Sequence, residues 1–134
     1  MALKKSVAVR NAELDALETA IGTSAVLKIR TGAPPTNISD ADAGTVLATI
    51  NLPSDWMAAA ASGQKAKSGT WKANASADVT SGHFRLYASN GTTPHIQGTI
   101  TLTCGGGDMT QDNVNIANGQ QVTVNTFTLT AGNA

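Results

Sequence analysis

Ala25-Val26-Leu27-Lys28-Ile29-Arg30-Thr31 is the stretch on which the fold turns, because Ala25, Leu27, Ile29 and Thr31 alternate with Val26, Lys28 and Arg30. Side chains two apart share one face of a strand, so this period predicts a strand with one inward and one solvated face. Immediately upstream the period is different. Val7, Leu14, Leu17 and Ile21 fall on one helical stripe with Glu13, Asp15 and Glu18 off it, which predicts one amphipathic helix around residues 11–21. Gly22 is placed to end it. Either Ser6 or Asn11 can cap its start, and the acidic residues one turn past Asn11 favour the latter through the helix dipole.

Downstream the pattern remains that of strands. A loop rich in Pro, Asp and Gly spans residues 32–44 and leads into a strand at 45–52, where Val46, Ala48, Ile50 and Leu52 face one way and Pro53 stops the run. Trp56 and Met57 then cover one end of the core, and the run Ala58 to Ala61 is too short to stand as a helix. Short strands follow at residues 70–75, 83–88, 95–103, 114–116 and 121–130, separated by Ser81-Gly82, Asn90-Gly91, Gly105-Gly106-Gly107 and Asn118-Gly119. Many short strands at this spacing predict an antiparallel β-sandwich or barrel.

Two details sharpen that expectation. With Ser89-Asn90-Gly91 as a three-residue loop, Phe84 pairs with Ile96 and Arg85 lies opposite His95. In the last run Val122 and Val124 share one parity and Phe127 and Leu129 the other, so a bulge or bend near Asn125 and Thr126 is required, as when a strand passes between partners.

Composition bounds the function. The chain has 134 residues, enough for one domain with one core, and nine basic side chains balance nine acidic ones. That balance gives no argument for nucleic acid or an anionic membrane surface. Lys65, Lys67 and Lys72 read as a solvated face. One cysteine, Cys104, excludes an intrachain disulfide. The basic start lacks an apolar run of signal-peptide length, and no run approaches the roughly 20 residues of a membrane span, so synthesis and assembly in a cytosol are expected.

Candidate chemistry is sparse. His83 and His95 could bracket a metal from adjacent strands, but a guanidinium stands beside them and no carboxylate or cysteine completes a ligand set, so they read as solvent-facing polar residues. Cys104 lies in a Gly-rich turn with no base nearby in sequence, and no Gly-x-Ser-x-Gly elbow occurs. Gly105-Gly106-Gly107-Asp108 lacks the Lys-Ser/Thr ending of a phosphate loop and reads as a hairpin connection. Asp40 and Asp42 lack the remaining ligands of a calcium loop and read as turn residues. Trp56, Trp71 and Tyr87 could stack on a sugar, although aromatics form only 4% of the chain and a core would claim them. The expectation is therefore no catalytic residue, no metal and no cofactor. After Arg85 the only charged residues are Asp108 and Asp112, in a region dense in Thr, Asn, Gln and Gly. Strand edges without charges invite pairing with another chain.

Three runs resemble small tailed-phage virion proteins: Arg10-Asn11-Ala12-Glu13-Leu14-Asp15-Ala16-Leu17 with Val26 to Pro35, then Gly44-Thr45-Val46-Leu47-Ala48-Thr49-Ile50, then Phe84-Arg85-Leu86-Tyr87 with Asn90-Gly91-Thr92 and the tail Val122 to Thr130. Within that group the likeness is to the jelly-roll cement, or decoration, protein on the outside of a phage head. The resemblance implies a mainly β chain, an antiparallel β-sandwich of jelly-roll type with one short N-terminal α-helix: an arm and helix over residues 1–24 and a single sandwich over 25–134. It implies a non-enzymatic structural protein of the outer capsid surface, made in the host cytoplasm, that bridges subunits of the major capsid protein. A homo-oligomer is expected, a dimer before a trimer, without nucleic acid or membrane. Val7, Arg10, Leu14, Leu17, Val122, Val124, Thr126 and Thr128 are its expected contact residues. The alternatives are a tail or baseplate component and a glycan-binding β module.

Overall fold

The protein is described by a computed structural model over residues 3–111 and 113–132. Met1 and Ala2 of the expected arm, Asp112, and Asn133 and Ala134 at the end of the expected sandwich lie outside the described residues. One helix, α1 (Val7–Ile21), precedes β1 (Val26–Arg30), β2 (Val46–Asn51), β3 (Gln64–Ala66), β4 (Trp71–Asn74), β5 (Val79–Thr80), β6 (His83–Tyr87), β7 (Pro94–Leu102), β8 (Met109–Gln111), β9 (Asn115–Ile116), β10 (Gln121–Val124) and β11 (Thr128–Thr130). The chain is mainly β with one short helix, as its periodicities predict. A five-stranded sheet in the order β2-β1-β6-β7-β8 is accompanied by three two-stranded ladders, β10-β4, β11-β3 and β5-β9.

The core lies between the inward face of the large sheet and these ladders. Leu27, Ile29, Phe84 and Leu86 point into it from β1 and β6, and Trp71, Val122 and Val124 from β4 and β10. Phe127 joins the two sides: it meets Phe84 edge-on with centroids 5.8 Å apart and Trp71 at 5.4 Å. Aromatic pairs of this kind add roughly 0.5–1.5 kcal/mol each beyond the area they bury. The phase change in the last run is real: β10 ends at Val124 against β4, and β11 begins at Thr128 against β3.

Five expectations are corrected. The helix starts about one turn early because Ser6 is the cap, its Oγ accepting the Val9 N–H at 3.3 Å. Val26 and Arg30 are buried rather than solvated, because the segment between β1 and β2 folds over the outer face of β1 and β6. The β6–β7 hairpin is two residues out of the expected register: Leu86, not Phe84, pairs with Ile96, and Arg85 lies opposite Gln97. A longer loop with a bulge at Leu86 and Tyr87 accounts for the slip, since Ala88 N–H bonds to Thr93 O and Asn90 Oδ1 accepts from Thr92 and Thr93 N–H. The Gly-rich turn is no hairpin either. Strand β8 runs parallel to β7, Ile100 beside Met109, with Asp108 Oδ2 folded back onto Thr99 N–H at 2.9 Å.

The fifth correction concerns Lys65, which is only 2% exposed and not part of a solvated face. Its ammonium sits between Asp15 at 2.7 Å and Glu18 at 2.8 Å, so these two acidic residues of α1 dock the helix, Asp15 keeping its outer side in water. Asn11 Oδ1 accepts the Gly63 N–H at 2.8 Å, and Arg10 Nε donates to Ala131 O at 2.8 Å. Gly63 has φ +73°, and a Cβ there would run into the Arg10 guanidinium. Leu14 and Ile21 are buried on the adjoining stripe, with Leu17 packed against the core. An apolar and a polar face thus hold the helix together, one to the core and one to the turn before β3.

Candidate interaction surface

Two regions carry the polar chemistry of this molecule, and they are opposites. The first is the outer face of β1 and β6, where Lys28 pairs with Arg85, Arg30 with His83 and Val26 with Tyr87. The strap between Arg30 and Val46 covers it and inserts Asp42. The Asp42 carboxylate takes Arg85 Nη1 at 2.5 Å and Tyr87 Oη at 2.6 Å on one oxygen, and Arg30 Nη2 at 2.6 Å on the other. Arg85 also donates to Ile38 O at 2.6 Å, Asp40 O at 3.1 Å and Gln97 Oε1 at 3.1 Å, and Gln97 Nε2 donates to Pro35 O at 2.6 Å. Gly44 returns the strap with φ +70°, where a Cβ would overlap the Thr31 carbonyl.

Desolvation pushes the Asp42 carboxyl up, but the hydrogen bonds from Tyr87 and Arg85 and the charges of Arg30 and Arg85 outweigh it and hold it below the ordinary carboxylate value. The same burial, with the bond to Asp42, pushes the Tyr87 hydroxyl up. At the helix, desolvation lowers the Lys65 ammonium while its bonds to Asp15 and Glu18 raise it further, leaving it above its ordinary value. Each of these charges has an ionic partner within the chain, although Arg30 Nε is buried without a hydrogen-bond partner among the described residues.

The second region is a groove of about 420 Å³ beside β8, β9 and β10. Thr110, Gln111, Asn113, Gln121, Thr123 and Asn125 line it with hydroxyls and primary amides, and Ile116 and Val122 supply its apolar part. No charged side chain occurs among its described lining residues. Such a surface offers both donors and acceptors but no ionic recognition.

The expected contact residues divide accordingly. Val7, Thr126 and Thr128 are exposed, Thr126 at the groove. Leu14, Val122 and Val124 are core residues, so the part of β10 a partner reaches is Gln121 and Thr123. Arg10 is turned inward onto Ala131, and Leu17 is half-buried. His83 is not solvent-facing: it is fully buried, with Nδ1 2.8 Å from Gly32 O, while His95 is exposed. The register that would have set the two rings diagonally does not form. Trp56, Trp71 and Tyr87 have no exposed surface, which removes them as a sugar-stacking platform. Asp42 is an ion-pair centre rather than a turn residue.

The groove escapes a reading of motifs because Thr103, Thr110, Gln111, Asn113 and Gln120 are ordinary strand and turn residues, brought together only by the parallel return of β8. The one signal in the sequence is the scarcity of charge after Arg85, where only Asp108 and Asp112 remain. Among the described residues no group of three or more His, Cys, Asp or Glu is placed to hold a metal, and no helix is long and apolar enough to cross a membrane. Comparison with protein-family models, with curated proteins and with solved structures finds no match.

Proposed function

We propose that this chain is a non-catalytic structural virion protein that decorates the outer surface of a phage head and bridges subunits of the major capsid protein, its β body being a sandwich of jelly-roll type. The observation that carries the reading is the division of charge. Ionic groups up to Arg85 close the strap and the helix onto the chain's own core, whereas the described lining at the end built from β8, β9 and β10 is uncharged. Edges left without lysine are the kind that another chain covers.

The mechanism is multivalent attachment. Weak neutral contacts repeated over a symmetric shell sum to stable reinforcement, and a homo-oligomer, a dimer before a trimer, multiplies them. A body whose helix and strap are latched internally transmits load between the subunits it joins. Heads of the phage that encodes the chain, prepared without it, are expected to assemble normally but to lose resistance to heat or chelator, and purified chain added back is expected to restore it. Heads that are equally resistant without the chain, with the chain recovered in tails, would move the tail reading to first place.

A further inference from the structure

Asparagine followed by glycine occurs at Asn90-Gly91 and again at Asn118-Gly119, and both asparagines are exposed in tight turns. In the first turn Gly91 N–H donates to Ala88 O at 2.9 Å; in the second Gln120 N–H donates to Ala117 O at 3.0 Å, with Gly119 at φ +82°. The two carboxamides differ. Asn90 Oδ1 accepts from Thr92 N–H at 2.9 Å and Thr93 N–H at 3.0 Å, and its Nδ2 donates to Thr93 Oγ1 at 2.9 Å. Lys28 also holds that loop from outside, donating to Gly91 O at 2.8 Å. The Asn118 carboxamide has no hydrogen-bond partner among the described residues, and only its main-chain N–H is held, by Asp78 Oδ1 at 2.6 Å. Gly119 is exposed where Gly91 is half-buried, and no atom stands within 4 Å of where a side chain on Gly119 would begin.

We propose that Asn118 is a site of spontaneous deamidation in the folded protein and that Asn90, with the same sequence signal, is protected by its turn. The Gly119 main-chain nitrogen attacks Asn118 Cγ; as the new N–Cγ bond closes a succinimide ring, the Cγ–Nδ2 bond breaks, and Nδ2 leaves as ammonia with the proton of the attacking nitrogen. Water then opens the ring at either carbonyl, leaving aspartate or isoaspartate. In both turns the glycine N–H must first be freed, from Ala75 O at 2.8 Å for Gly119 and from Ala88 O at 2.9 Å for Gly91, so that cost is shared. Only Asn90 must also surrender its three carboxamide bonds, each worth a factor of about 2–10. The consequence is local. Either product adds a negative charge beside Asp78, and isoaspartate lengthens the main chain by one carbon between the Asn118 bond to Asp78 and the Gly119 bond to Ala75. An end whose only charged residues after Arg85 are Asp108 and Asp112 thereby becomes more anionic with age, next to Gln120 and Gln121 of the groove. The assignment holds whether or not the chain decorates a head.

The test is peptide mapping by mass spectrometry of the purified full chain, aged in mildly alkaline buffer made with heavy-oxygen water, beside the same chain unfolded in urea. Oxygen from the water marks conversion during ageing and separates it from conversion during the digest. In the folded chain Asn118 is expected to convert at least about tenfold faster than Asn90, yielding labelled aspartate and isoaspartate. In urea the two sites are expected to react at similar rates, because the turn that protects Asn90 is gone. Asn118→Gln is expected to remove the acidic species that accumulates in the folded chain, and Asn90→Gln to leave it. Equal rates in the folded chain, faster conversion at Asn90, or an unreacted Asn118 over a period in which the unfolded chain converts would overturn the assignment. A rate difference that persists in urea would also overturn it, because the folded turns would then not be its cause.

Discussion

The strap over β1 and β6 and the groove beside β10 are both polar, yet they differ in what satisfies them. In the strap the ionic groups find internal partners: Arg85, 1% exposed, and Arg30, 6% exposed, converge on Asp42, and Tyr87 donates to the same carboxylate, while Arg30 Nε and His83 Nε2 are buried without a hydrogen-bond partner among the described residues. In the groove the described side chains are neutral, and among the described strands the outer edge of β10 is open. The difference teaches that charge in this chain serves stability and neutrality serves contact.

Removing the strap's carboxylate is the strongest way to break that comparison. Asp42→Ala leaves two buried guanidiniums uncompensated and is expected to cost about 3 kcal/mol, near the lower end for a broken buried pair because the Asp42 side chain is itself 38% exposed. Urea unfolding reads it as a lower midpoint at constant slope. Acid makes the same attack reversibly. A carboxyl held below its ordinary value contributes stability that is present above that value and is lost as pH falls through the folded one, so stability is expected to stay level near neutrality and to fall below about pH 4. Asp42→Asn should flatten that fall; a fall unchanged in this variant would place the acid sensitivity elsewhere.

Smaller effects separate the latches from one another. Tyr87→Phe removes one donor to a charged acceptor and is expected to cost about 1.5 kcal/mol. Lys65→Met should cost about 1–2 kcal/mol: methionine fills the buried stem and the carboxylate of Asp15, 53% exposed, stays in water, but that of Glu18, 22% exposed, loses its partner. A loss from Lys65→Met as large as that from Asp42→Ala would mean that the helix latch, not the strap, dominates. At the groove, Thr123→Ser should change stability by less than about 0.5 kcal/mol, whereas Thr123→Lys, directly across from Lys72 on β4, should lower it by up to about 1 kcal/mol through like-charge repulsion.

Much of the architecture is legible in the sequence where one local force acts. The change of period at Ala25, the Gly22 stop and the phase break between Val124 and Phe127 all mark real boundaries. What is not legible depends on segments distant in sequence. A period of two shows that Arg30 and Arg85 point away from the core, but water and a strap carrying Asp42 leave the same pattern. The hairpin register slips because the hydrogen bonds of Asn90 favour a longer loop than Gly91 suggests. The parallel return of β8 depends on Asp108 and Gly107 bonding back to Thr99 and Thr101, which no turn rule anticipates. The groove is a product of that return, so its residues carry no motif.

The most direct test of the central claim is cryo-electron microscopy of purified particles of the phage that encodes this chain. The account predicts density for the chain on the outer shell surface at junctions between major capsid subunits, with the edge of β10 against the shell and the strap of Asp42 away from it. Particles whose heads lack the chain, or that hold it only inside with the DNA, would contradict the account.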